Sequence, residues 1–257
     1  MSIKLQKVDL IPPHSIVKEV TDEDYKIELA RLEPLLGILS QVANFGYYVV
    51  DYFKCNYLYV SDNISYWCGH TADEVKDLGF DLYSEFVPEE DLEILKQITK
   101  AGFDKFETLQ EEERCKYTIS YDFRFRINGR NKMVNKRMTP YALKNGKIWL
   151  ALCILTISSN KKTGQEIILK QYKSRTYFEY SLNTLHWRKK NVPLLSDDEK
   201  DILRLIAQGM SCEEIAELFH RALDTIKLYR KKLKEKLGTS NFHDGLIRTI
   251  NYGMFQI

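Results

Sequence analysis

Residues 227–236 read "KLYRKKLKEK": six of the ten are basic and only Glu235 is acidic. Just upstream, Glu213, Glu214 and Glu217 make the neighbouring segment acidic. Lysine and arginine at this density on a helix can neutralise phosphates and donate to guanine acceptors, and an α-helix fits the DNA major groove. Lys227, Leu228 and Lys231 stand at i, i+1 and i+4, on one outward face of such a helix. Its inward positions would be Ile226, Tyr229 or Arg230, Leu233 and Leu237. The upstream acids meet a different demand. Carboxylates in the first turn of a helix favour its positive end.

The flanking sequence supplies the elements that would hold this helix. Ser196 followed by Glu199 has capping-box spacing, and Ile202, Leu203, Leu205 and Ile206 give one apolar face. Gly209 is a stop. Ser211 and Glu214 repeat the box before a short face of Ile215, Ala216, Leu218 and Phe219. The basic helix is expected over about 223–237, ending at Gly238. A fourth is expected from an Asn241 cap, with Leu246, Ile247 and Ile250 inward. A short helix, a tight turn and a basic second helix make helix-turn-helix geometry.

The pattern "LS..E..IL.LIA.G.S..EIA" followed by "TIK.YR..L..KLG..N" resembles the LuxR/GerE-type helix-turn-helix family over residues 194–252. The resemblance implies that Thr225 touches phosphate near the helix start and that Lys227, Leu228 and Lys231 face the groove. Arg230, Lys232 and Lys234 are implied as backbone contacts. It also implies double-stranded promoter DNA as partner, a homodimer at least on DNA, and RNA polymerase as a further candidate partner. Three positions depart from the family pattern. Asp198 stands where an arginine is usual. Arg221 and Ala222 replace an apolar residue and a serine in the turn. Tyr229 replaces a histidine. Loss of the serine removes a cap from the basic helix, although Asp224 still favours its N-terminus.

The first part of the chain reads differently. Tyr47–Asp51 and Tyr57–Val60 look like two strands joined by a short turn. Short helices follow, with Thr71 and Glu74 in capping-box spacing. "FVPEEDLEILKQITKAG" is a clearer helix. "YTISYDFRFRI" alternates strictly. Asn128-Gly129 and Asn145-Gly146 mark turns, and "KIWLALCILTI" is apolar on both faces. The order β-β-α-α-α-β-β-β gives an α+β unit: a five-stranded antiparallel sheet with helices on one side. With "GYYVVD", "YLYVS", "GHTADEV" and "VPEED" it resembles a PAS sensor domain over about residues 42–158. That resemblance implies a small-molecule ligand or a dimerisation role. Tyr47, Trp67, Phe123, Phe125 and Trp149 are candidate pocket aromatics, with ordinary core packing as the alternative. No cofactor signature is specific, and His70 in "GHT" reads as a surface or capping residue rather than a haem ligand.

The expected divisions are a helical segment (1–41, with Pro34 kinking or dividing it), a PAS-like domain (42–158), a basic connector (159–192) and an all-α four-helix DNA-binding domain (193–257). Charge follows them. The net formal charge is +2 for the chain. By count it is about −4 before residue 158, +6 over 158–194 and zero beyond. Five cysteines without a CxxC pair give neither a disulfide framework nor a zinc site. No apolar run approaches a membrane span, and "MSIKLQKVDLIPPHS" lacks a signal-peptide core, so a cytoplasmic location is expected. No P-loop, dinucleotide fingerprint, zincin motif or nucleophile elbow occurs, so catalysis is not expected. A sensor-like module joined to a recognition helix reads as a ligand- or partner-responsive transcription regulator.

Overall fold

A computed structural model of the chain describes residues 11–158 and 160–239 together with Phe242 and Gly245. The chain divides into two compact units, Met1–Lys189 and Lys190–Ile257. The expected fourth helix, with Asn241, Leu246, Ile247 and Ile250, lies outside the described residues.

The first unit opens with α1 (Asp22–Val42), started by a capping box between Thr21 and Asp24. The helix runs unbroken through Pro34. Burial of Leu32 and Leu36 on either side of the proline outweighs the lost backbone bond. Then come strands β1 (Gly46–Asp51) and β2 (Asn56–Val60) and helices α2 (Ala72–Leu78), α3 (Asp81–Phe86) and α4 (Glu89–Glu107). The long strands β3 (Tyr117–Ile127), β4 (Arg130–Lys144) and β5 (Lys147–Ile157) follow. Both Asn-Gly pairs carry positive φ at each residue, 50° and 71° at 128–129, 51° and 73° at 145–146. This is the mirror-image turn that matches strand twist. The α2 box forms as its spacing predicts, Thr71 with Glu74.

The sheet departs from expectation in size. It has eight strands, not five, in the order β2-β1-β5-β4-β3-β6-β7-β8. The three extra strands, β6 (Ile167–Gln171), β7 (Thr176–Ser181) and β8 (His186–Asn191), lie within the stretch expected to be a connector. β6 pairs antiparallel with β3, from Tyr117↔Gln171 to Tyr121↔Ile167. Without it β3 would be an open edge. Ile167 and Leu169 are fully buried, so the segment adds core as well as ladder bonds. The Trp187 indole N–H donates to the Ala101 carbonyl of α4 at 3.2 Å, which pins β8.

Helices cover both faces of the sheet rather than one. On the first face α2–α4 pack over Tyr48, Val50, Phe123, Phe125, Val134 and Leu155. On the other, α1 packs over Tyr47, Val49, Trp149 and Leu150. Tyr25 of α1 meets Trp149 edge-on at 5.1 Å, and its hydroxyl donates to Asp51 at 2.5 Å. No helix among the described residues is long and apolar enough to cross a membrane.

The second unit contains α5 (Asp197–Ala207), α6 (Cys212–Leu218) and α7 (Leu223–Leu237). Both predicted capping boxes form, Ser196 with Glu199 and Ser211 with Glu214. Ile202, Ile215, Ala216, Ile226 and Leu233 make the core. Gly238 ends α7 in the left-handed conformation, φ 63°.

Glu199 has a further role. Its carboxylate accepts from Lys236 of α7 at 2.7 Å and from the Ser196 backbone at 2.8 Å, tying the first helix to the last described one. Burial works to raise its pKa, but the bonds from Lys236 and Ser196 outweigh it and hold the carboxyl below the ordinary glutamate range. A carboxyl lowered in the folded state contributes stability above its unfolded pKa and loses it as pH falls through the folded one. The melting temperature of the C-terminal unit is therefore expected to be flat above about pH 5 and to fall below about pH 4.3. Glu199→Gln lowers it by roughly 5–10 °C at neutral pH and flattens the acid limb, as calorimetry against pH will read.

Candidate DNA interface and ligand cavity

In α7, Ile226, Leu233 and Leu237 are buried and define the inward side. Lys227, Leu228, Lys231 and Lys232 are exposed, and Leu228 is 50% exposed although apolar. Among the described residues Lys231 and Lys232 have no carboxylate partner, and Lys227 stands 3.9 Å from Asp224. Thr225 sits half-buried at the helix start, its N–H bonded to the Ala222 carbonyl. The exposed run Lys227, Leu228, Lys231 and Lys232 lies in the middle of α7, between Asp224 in its first turn and Glu235 near its end. Leu228 is the apolar member of that exposed face, between Lys227 and Lys231.

Arg230 and Lys234 are placed differently. Both are half-buried on the flank of α7. Their charges lie over the Phe242 ring, at 4.8 and 5.1 Å, and Arg230 also donates to the Cys212 sulfur at 3.1 Å. These contacts draw both side chains toward their own unit.

The turn before α7 is built from backbone. His220 takes a left-handed conformation, φ 49°. The Arg221 N–H then reaches back to the Ala216 carbonyl at 2.9 Å, closing the end of α6. Ala222 caps α7 without a side-chain bond, as loss of the serine predicts.

Residues 193–246 match the family model for bacterial regulatory proteins of the luxR family. The C-terminal unit carries a LuxR-family helix-turn-helix domain. That family is one of DNA-binding transcription regulators, not of a reaction class. No curated protein matches the chain. Among solved structures, the phage VqmA–DPO complex matches at 12% identity and TM-score 0.33, over 91% of this chain and 92% of that one. A Vibrio cholerae VqmA dimer solved without its target DNA matches at 14% identity and TM-score 0.32, over 86% and 87%. A Vibrio cholera VqmA–ligand–DNA complex matches at 13% and 0.32, over 88% and 90%.

In the N-terminal unit the five candidate pocket aromatics do not share a site. Trp67, Phe123 and Phe125 pack together under α2 and α3, around a small void. Tyr47 and Trp149 are on the opposite face, against α1. The reason is strand parity: Tyr48, not Tyr47, pairs with Cys153 on the first face, and successive residues alternate.

Beside that void the same face holds a cavity of about 30 Å³, lined by Tyr52, Tyr57, Tyr83, Tyr121, Lys136, Phe80 just before α3, and residues of β1 and α4. This is room for roughly two waters. Lys136 is the unusual member. It sits on β4 opposite Tyr121 and Leu155, in register with the core-facing residues Val134 and Met138, and is only 8% exposed. Its ammonium donates to the Tyr83 hydroxyl at 2.9 Å and lies 5.2–5.8 Å from the rings of Tyr48, Tyr83 and Tyr121. Burial disfavours its charge. The Tyr83 hydroxyl oxygen and the ring faces of Tyr48, Tyr83 and Tyr121 favour it. Burial pushes the Tyr121 hydroxyl up to about 12 and drives Tyr48 and Tyr57 well above their ordinary value. Tyr48, Tyr57 and Tyr121 therefore stay neutral, and among the described residues Lys136 has no carboxylate partner. The Tyr57 hydroxyl is buried with no hydrogen-bond partner among the described residues. The signal in the sequence was a lysine at a core-parity position of "MVNKRM".

Among the described residues no group of three His, Cys, Asp or Glu could hold a metal ion. His70 makes a surface pair with Glu74 at 3.6 Å and packs on Phe86 at 5.2 Å.

Proposed function

We propose that the chain regulates transcription by binding double-stranded promoter DNA through α7, and that a small molecule in the Lys136 cavity changes that binding. The observation that carries the DNA reading is the exposed set Lys227, Leu228, Lys231 and Lys232 on the second helix of a LuxR-family domain. Thr225 is assigned to phosphate, Lys227, Leu228 and Lys231 to the groove, and Lys232 to the backbone. Arg230 and Lys234 serve as backbone contacts only after leaving Phe242. Two chains bind as a homodimer on half-sites about one helical turn apart. RNA polymerase is a further partner in this reading.

The ligand reading rests on the buried, uncompensated charge of Lys136 and the unpaired hydroxyl of Tyr57. Both call for an acceptor oxygen or an anion. A volume of about 30 Å³ limits the ligand to a few atoms unless the surrounding tyrosines move aside. To act as an effector it must bind the DNA-competent and DNA-incompetent states with different affinity. One observation favours a second reading, in which the N-terminal unit acts by pairing two chains without a ligand. Leu35, Ile38 and Val42 form an exposed apolar stripe along α1.

The test is binding of the full chain to genomic fragments, including its own promoter region, at two salt concentrations. Specific binding that weakens steeply with salt is expected. Equal affinity for every fragment, or binding indifferent to salt, overturns the DNA reading.

A further inference from the structure

The three positions at which the C-terminal unit departs from the family pattern meet in space. Asp198 lies on α5, Arg221 in the turn and Tyr229 on α7. The Arg221 guanidinium donates to the Asp198 carboxylate at 2.7 Å and to the Tyr229 hydroxyl at 2.8 Å. The Tyr229 hydroxyl in turn donates to the same carboxylate oxygen at 3.4 Å. The guanidinium carbon is 5.4 Å from the Tyr229 ring centre. Arg221 donates to both other members, Asp198 accepts from both, and Tyr229 accepts one bond and donates another, so the triangle closes with every donor aimed at an acceptor.

Its place in the fold matters more than its strength. The turn lacks a side-chain cap on α7, and a residue other than glycine holds the left-handed position. The Tyr229 ring packs against the core of Ile202, Ile215, Ile226 and Leu233, while its hydroxyl reaches the surface. A contact from that hydroxyl therefore fixes the rotation of α7 about its own axis. Tyr229 lies two residues from Lys227 and two from Lys231, so a small rotation moves both lysines across the groove. Arg221 and Asp198 are both about 40% exposed, so the cycle contributes little to global stability.

We propose that Asp198, Arg221 and Tyr229 form a positioning latch that sets the angle at which α7 presents Lys227, Leu228 and Lys231 to DNA. The proposal rests on the DNA-binding reading above. The latch governs discrimination between operator and random DNA, not attraction to phosphate.

The experiment uses the full chain and its operator, with random duplex of the same length as the second probe. Arg221→Ala is expected to lower operator affinity about tenfold and to leave random-duplex affinity within about twofold, with an unchanged melting curve. Arg221→Asp alone falls further. Adding Asp198→Arg exchanges the two charges and brings operator affinity back toward the original. A direct phosphate contact by Arg221 gives the opposite pattern. Affinity for both duplexes then drops together, and the exchange does not rescue it. Unchanged operator affinity in Arg221→Ala also overturns the latch. Should that variant melt early, Tyr229→Phe, which removes one hydroxyl, decides instead. A reduced operator-to-random ratio supports the latch and an unchanged ratio removes it. Failure of the unaltered chain to find any operator is a different result, and it takes down the DNA reading and the latch together.

Discussion

Replacing Lys227 and Lys231 together by alanine is expected to lower operator affinity roughly 100-fold or more. Each groove contact of this kind is worth about 1–3 kcal/mol, and a factor of ten is about 1.4 kcal/mol. The plot of log affinity against log salt should become shallower by up to about 2, because as many as two fewer phosphate charges are neutralised. Both side chains are exposed, so thermal stability should stay within about 0.5 kcal/mol. Leu228→Ala separates the two kinds of contact. It removes apolar surface without charge, so it should change which operators are preferred and leave the salt slope alone. Lys232→Ala should weaken all duplexes nearly equally. Mobility shifts on operator and random duplex at several salt concentrations measure all three. Retention of full operator affinity by the double variant would mean that another face of α7 enters the groove.

Lys136→Met is expected to stabilise the unliganded N-terminal unit while removing its ligand response. A buried charge without an ionic partner carries its desolvation cost uncompensated. Replacing buried ionic groups by apolar side chains of similar volume is often stabilising, by about 1–4 kcal/mol. In a unit of this size each kcal/mol moves the melting temperature by about 2–4 °C. The Tyr83 hydroxyl loses its donor, which reduces the gain, but that hydroxyl keeps Tyr48 as a partner at 2.8 Å. Calorimetry of the unliganded chain gives the first half of the answer. The second half comes from operator binding with and without small carboxylates, in the original chain and the variant. A lower melting temperature in Lys136→Met would mean that the ammonium is structural, holding the tyrosine cluster together. A response that survives the substitution would place the ligand elsewhere.

The sequence was most informative where the signals are local. The capping boxes at Thr71, Ser196 and Ser211, the two Asn-Gly turns and the inward stripe of α7 are all contained within short windows. Spacing alone is enough to find them, because each depends on contacts between residues close in the chain. The outward placement of Lys227, Leu228 and Lys231 followed from the same periodicity. Signals that depend on pairing between distant segments were weaker. β6 to β8 read as a connector because the strands are short and the stretch that holds them carries net positive charge. What makes them strands is the open edge of β3, some 50 residues earlier. Pro34 reads as a break, yet burial across the sheet keeps α1 whole.

The pocket shows the same division. Aromatic side chains near the sheet were legible in the sequence, but an error of one residue in strand parity exchanged Tyr48 for Tyr47 and sent two of the five to the far face. The lysine at position 136 carried a local hint, alternating with Val134 and Met138. Its lack of a counter-charge was not legible, because that depends on what β1, α3 and β3 bring to it. Nor could the sequence join Asp198, Arg221 and Tyr229, which it presented as three separate oddities 23 and 8 residues apart. Chain order determined the elements, the recognition helix and its charged face, since those rest on short-range periodicity and capping. Only the tertiary structure decided the size of the sheet, the buried cation and the latch, since each depends on groups that meet through packing rather than through neighbourhood along the chain.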